Sequence, residues 1–180
     1  MTTQFLVLTV LGEDKPGLVE SLSQMIAAHG GNWLESRMSR LAGKFAGILR
    51  ASVPKANADA LSKALQGLEL QGLSVMIEWS RADEPAMLYR WLKLDLVGID
   101  RPGIIRDISQ ALAWRNINID ELYTTYDSAP MSGEILFKAM AQLRVPLDVR
   151  IDELQENLEQ IAHDLMVDIT LEVASEKAFR

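Results

Sequence analysis

The chain contains no cysteine, which excludes disulfides, thiolate metal sites and a cysteine nucleophile, and fits a reducing compartment. Only two of its 180 residues are histidine, and neither stands at a His-x-x-x-His or carboxylate–His spacing. His29 extends the apolar stripe of a helix, and His163 lies near a helix C-terminus, where partial positive charge suits the dipole. Basic residues are sparse: 18 Lys and Arg face 25 Asp and Glu, the net charge is −7, and no basic tract occurs. Direct binding to a nucleic-acid backbone is therefore disfavoured, because that affinity comes from clustered cations. Aromatic residues make up only 6%, and the strands that would stack RNA bases carry one each, Phe45 and Phe137, without the Lys/Arg-Gly-Phe/Tyr pattern that stacking needs. The four tryptophans, Trp33, Trp79, Trp91 and Trp114, are expected as filler of the core or between domains. Long apolar runs are missing too. The opening residues have no basic segment, and their apolar stretch breaks at Gly12-Glu13-Asp14, so neither a signal peptide nor a membrane span is read and the chain is expected in the cytoplasm. No Gly-x-Ser-x-Gly elbow and no phosphate loop is present. The carboxylates Asp148, Asp152, Glu153, Glu156 and Glu159 line the polar side of a helix whose other side carries Leu154, Leu158 and Ile161, a solvated face rather than a catalytic pair. No enzyme activity, catalytic residue, metal or cofactor is expected.

What is present is a duplication. Leu11-Gly12-Glu13-Asp14-Lys15-Pro16-Gly17-Leu18-Val19 recurs as Val97-Gly98-Ile99-Asp100-Arg101-Pro102-Gly103-Ile104-Ile105. At the same offset Ser23-Gln24 meets Ser109-Gln110, Asn32 meets Asn118 and Glu35 meets Glu121. Further on the offset grows, so that Val53-Pro54 meets Val145-Pro146, which places a short insertion at Asp127–Gly133 of the second copy. The polar, proline-containing stretch Ser80–Ala86 reads as a linker. Two domains follow, 1–80 and 88–180.

Each copy has the same succession of elements. The apolar run Phe5–Leu11 reads as a buried strand; Pro16-Gly17 opens a helix with Leu18, Leu22, Met25 and Ile26 on one face, and Gly30-Gly31 ends it. Asn32–Arg40 and Phe45–Val53 read as two strands joined near Ala42-Gly43, Ala58–Leu70 as a helix and Leu73–Trp79 as a last strand. The second copy repeats this with strand 88–97, helix 103–114, strands 117–126 and 134–143, helix 149–164 and strand 167–173. The order β-α-β-β-α-β, with right-handed crossovers, predicts an α+β chain of two ferredoxin-like domains, each an antiparallel sheet with its helices on one face. The free sheet faces would expose apolar area unless covered, which suggests that the copies cover one another or that the chain associates with itself.

The repeated Asp-(Lys/Arg)-Pro-Gly has two readings. As structure alone, proline suits a first helical turn, the acid complements its positive end, and glycine permits a tight turn. As a site, a helix start bearing glycine exposes unpaired N–H groups able to receive a small carboxylate, and Asp14 or Asp100 could accept hydrogen bonds from an ammonium group. A zwitterionic amino acid matches both. Depending on how the copies associate, Asn32 and Asn118 could also face it.

These residues resemble those of ACT domains, small ferredoxin-like modules that sense amino acids through the loop between first strand and first helix. The resemblance covers essentially the whole chain as two tandem copies, and it implies ligand-binding roles for Asp14, Lys15, Pro16, Gly17, Leu18 and Asn32, and for Asp100, Arg101, Pro102, Gly103, Ile104 and Asn118. The stretch Tyr123–Gly133, followed by Leu136-Phe137 and Val145-Pro146, is similar to the glycine cleavage system transcriptional repressor family. That resemblance implies an amino-acid-responsive regulator without a DNA-reading domain of its own, opposing a DNA-bound activator by protein contact, with glycine as the relieving ligand. The alternative it leaves open is a stand-alone ACT module that regulates an enzyme of amino-acid metabolism. Gly31 before Asn32 is replaced by Ile117 before Asn118, so the two loops need not bind equally.

Overall fold

The computed structural model describes residues 2–80, 88–128 and 134–174. The proposed linker, apart from Ser80, and most of the proposed insertion, 129–133, lie outside the described residues. The chain divides into two compact units, Met1–Pro85 and Ala86–Arg180.

In the first unit, β1 (Thr3–Glu13) leads to α1 (Leu18–Ala28), then to β2 (Asn32–Leu41), β3 (Lys44–Pro54), α2 (Ala58–Gln66) and β4 (Leu73–Ser80). The second unit repeats the order with β5 (Tyr89–Ile99), α3 (Ile104–Ala113), β6 (Asn118–Ser128), β7 (Ile135–Pro146), α4 (Ile151–Leu165) and β8 (Val167–Val173). The sheets run β2-β3-β1-β4 and β6-β7-β5-β8, and every neighbouring pair is antiparallel. Both units are the split β-α-β, ferredoxin-like sandwich that the sequence order predicts.

Alternation along the central strand sets the layers. Leu6, Leu8 and Val10 point into the first core with Leu22 of α1 and Leu61 and Leu65 of α2. Leu92, Leu94 and Leu96 do the same in the second, with Leu112 of α3 and Leu154 and Leu158 of α4. Each such leucine contributes roughly 1.5–3 kcal/mol by burial. The duplication extends to irregularities. The edge strands break register at the same place, between Trp33 and Glu35 in β2 and between Ile119 and Glu121 in β6. After the first helix of each unit, Gly30 (φ 68°) and Asn116 (φ 55°) occupy matching left-handed positions.

Two expectations are corrected. The helix expected over 58–70 stays α-helical only to Gln66; Gly67–Gln71 tighten into a 3-10 turn. Gly67 is a poor helix former, and the tighter turn still buries Leu68. The tryptophans are not all in the cores. Trp33 packs half-buried against the first core, whereas Trp79 is 48% and Trp114 78% exposed.

Candidate functional site

Each Pro-Gly corner is a left-handed glycine followed at once by a helix. Gly17 has φ 92° and Gly103 φ 106°, a region in which a Cβ is strained. Their carbonyls accept the amides of Ser21 and Asp107, both at 2.9 Å, closing the first turns of α1 and α3. The N-cap residue of each helix is this glycine, which has no side chain to cap with, so the preceding first-turn N–H groups have no partner within the helix. Among the described residues no other acceptor bonds them, and the partial positive charge of the helix starts favours an anion.

The basic residue of each loop reaches back toward the residues just before the last strand of its unit. Lys15 Nζ donates to the Gln71 carbonyl at 2.6 Å, and Arg101 Nη2 donates to Met166 Sδ at 3.8 Å. A cavity of about 390 Å³ lies against the first loop, lined by Lys15, Gly17, Glu20, Ser21, Gln24 and Gln71 among others. The cavity at the second loop is smaller, about 210 Å³, and is lined by Asp100, Arg101, Gly103, Ile104, Arg106 and Phe137. There Arg106 Nε donates to Asp107 Oδ1 at 2.6 Å, and this guanidinium holds the Asp107 carboxyl below the usual carboxylate range.

The other expected residues take different places. Asp14 is exposed, and its carboxylate accepts from Arg40 Nε of β2 at 2.8 Å; its amide donates to the Gly43 carbonyl at 2.9 Å. Asp100 is exposed, with its amide on the Ile135 carbonyl at 3.0 Å. Pro16 and Pro102 are exposed, and Leu18 and Ile104 turn inward as the first core residues of their helices. Asn32 and Asn118 do not join the loop of their own unit. Asn32 pairs with Ser52, which pairs with Phe5, whereas the loop leaves β1 at Glu13, so roughly 26 Å of strand separates them. Asn118 Nδ2 donates to Asp120 Oδ1 at 2.6 Å, and that carboxylate also accepts from Arg144 Nε at 2.7 Å. Sequence reasoning missed Glu20 and Arg106. Both fall three residues after the loop glycine, the position on the first turn that overhangs a helix start, so their spacing was a usable signal. Gln71 was beyond reach, because only the strand order brings it to Lys15.

Among the described residues no group of three or more His, Asp or Glu is arranged for a metal ion, and no helix is long and apolar enough to cross a membrane.

Comparison with known proteins bears on the fold. Residues 4–78 match the ACT domain family. Over 122 residues the chain is 31% identical to the glycine cleavage system transcriptional repressor of Escherichia coli K12; the match takes in 66% of this chain and 63% of that relative's length. Among solved structures, an unknown protein from Galdieria sulphuraria superposes with a TM-score of 0.85 at 29% identity, covering 97% of this chain and all of that one. A putative glycine cleavage system transcriptional repressor superposes at 0.72 with 21% identity, covering 98% and 100%. The first unit thus matches the ACT domain family, the second repeats its fold, and the chain resembles the glycine cleavage system transcriptional repressor of E. coli over part of its length.

Proposed function

We propose that this chain is an amino-acid-responsive regulator that takes glycine at a Pro-Gly loop and acts by protein contact on a DNA-bound activator, without binding DNA itself. The observation that carries the ligand part is the uncapped start of α1 at Gly17, open to a cavity of about 390 Å³ that also holds a lysine and a glutamate. The partner part draws on the likeness to the E. coli repressor and on the acidic surface, net −7, which disfavours nucleic acid and leaves protein contact as the route to a promoter.

Size bounds the affinity. Glycine has about five non-hydrogen atoms, and at roughly −1.5 kcal/mol per atom the ceiling is about −7.5 kcal/mol, a Kd of a few micromolar at best. Such a ligand regulates only by binding two states of the protein unequally. The capture of a carboxylate at a loop would shift how units or chains associate and so alter the surface offered to the activator.

In a thermal-shift screen of the twenty amino acids, glycine is expected to stabilise the chain by about 2.7 kcal/mol at a hundredfold excess over Kd. Replacing Gly17 and Gly103 together with valine should abolish the shift while the far-ultraviolet circular dichroism stays the same. A shift that survives in the double variant, or an equal response to all twenty, removes the site assignment. A bait of this chain that recovers no DNA-binding protein, with or without glycine, removes the regulatory part.

A further inference from the structure

Resting on the reading that this chain acts by protein contact, we infer where the contact is made: the outer edge of β8, beside α4, takes up an extended basic segment of the partner as a further strand.

The edge comes first. β8 ends its sheet and pairs with β5 over seven residues without a break in register. The Ala174 amide donates to the Trp91 carbonyl at 2.8 Å. By the alternation of an antiparallel ladder, the main-chain groups of Thr170 and Glu172 then also face β5, and those of Ile169, Leu171 and Val173 face outward. Among the described residues no strand takes them up. β2 and β6 border their sheets too, but both break register, whereas strand addition needs an evenly spaced row.

A groove runs along this edge. A cavity of about 190 Å³ is lined by residues 169–172 of β8 and by Gln155, Leu158 and Glu159 of α4. Successive side chains of a strand point to opposite faces, so four consecutive residues share a cavity only at the strand's edge. Leu158 is buried, while Ile169 and Leu171, which belong to the same apolar layer, are half-buried. A further strand with an apolar residue at every second position would extend that layer against α4.

Charge names the occupant. From Leu147 to Val173 eight Asp and Glu stand against one Arg, a net of −7, which is the net charge of the whole chain. α4 carries five of these acids and no Lys or Arg. Glu159 and Glu172 are exposed on the two sides of the groove. The neutral amide of Gln155 donates to Glu159 at 2.9 Å, and Lys93, across from Glu172, is tied to Asp95 at 2.7 Å. Lys or Arg at the positions between the apolar ones would stand beside Asp168 and Glu172, where opposite charges on neighbouring strands attract. The matching edge of the first unit lacks this field: α2 carries one acid, Asp59, and one base, Lys63. A second copy is a poor occupant, since it would press two such acidic surfaces together.

Fluorescence anisotropy of the full chain with a labelled peptide of about eight residues, valine alternating with lysine, tests this. Saturable binding is expected. E159K/E172K should weaken it about tenfold or more with unchanged circular dichroism, and should instead bind the peptide that has glutamate in place of lysine. E69K/E78K alters the net charge equally in the first unit and should leave the affinity within about twofold. Proline in place of the central valines keeps the peptide's charge and removes main-chain donors, and should cost about tenfold or more. The inference is overturned by no binding of the valine–lysine peptide, by equal losses in E159K/E172K and E69K/E78K, or by full affinity of the proline peptide. A dimer in sedimentation that the peptide dissociates places a second copy on this edge and overturns it as well. In each case the reading of protein contact stands as long as a bait of this chain recovers a DNA-binding protein. A bait that recovers none removes that reading, and this inference with it.

Discussion

Leu8→Ala is expected to destabilise the first unit by about 2–5 kcal/mol. Leu8 is fully buried at the centre of β1, between Leu49 on β3 and Ile77 on β4, and it belongs to the core closed by α1 and α2. The alanine removes the side chain from a layer in which Leu6, Leu22, Leu49, Leu61 and Leu65 also have 0–1% exposure, so little beside it is free to collapse into the void. At roughly 0.05–0.15 kcal/mol per residue, a unit of some 80 residues has only about 4–12 kcal/mol of stability, and the substitution removes a large share of it. Urea unfolding followed by the fluorescence of half-buried Trp33 reads the change. An unaltered midpoint would contradict the placement of Leu8. The second unit has a separate core, so hydrogen exchange along β5 and β7 is expected to stay slow under the same conditions.

Gly98→Val is expected to cost about 1–3 kcal/mol or more, by crowding rather than by a void. A Cβ built on Gly98 falls 2.4 Å from Val167 Cγ1 and 2.9 Å from Val167 Cα, the latter a backbone atom held in the β5–β8 ladder. Gly12 stands at the same place in the first unit, where a Cβ would meet the Gly72 carbonyl at 2.6 Å. The glycine that precedes each loop thus lets the last strand start against the central one. Because the first added carbon makes the collision, Gly98→Ala should already show most of the loss in thermal unfolding. Gly67→Ala is the contrast: no atom lies within 4 Å, its φ is −61°, and the exchange should be neutral or stabilising by up to about 1 kcal/mol. Equal losses at Gly98 and Gly67 would contradict the close approach.

Fold and site were legible in the sequence to different depths. Alternation in β1 and β5 and the recurring Asp-(Lys/Arg)-Pro-Gly were enough for two ferredoxin-like units, since period and punctuation are local signals. The bare helix starts at Gly17 and Gly103 were also readable, because an uncapped glycine turn announces itself. The residues around them were not. Asp14 turns to Arg40 because the β2–β3 turn brings Arg40 beside the loop, and Lys15 finds Gln71 because β4 pairs with β1. Asn32 and Asn118 looked like partners of the loops, but β2 and β6 run parallel to the central strands and so begin at the far end. Such placements depend on register, which no single segment encodes. Trp114 looked like filler by its size; its exposure follows from its position at the C-cap of α3, past the inward face marked by Ile104, Ile108 and Leu112.

The register breaks in β2 and β6 also bear on self-templating growth. Each strand borders its sheet and offers a row of main-chain donors and acceptors to any extended segment that drifts past. With the extra residue at Leu34 or Asp120, the spacing of that row changes partway along, and an incoming regular strand would fall out of step after the first few bonds. Copying the interruption into both halves discourages the stacking of molecules border to border into fibres, a hazard that doubling an open sheet would otherwise have doubled as well.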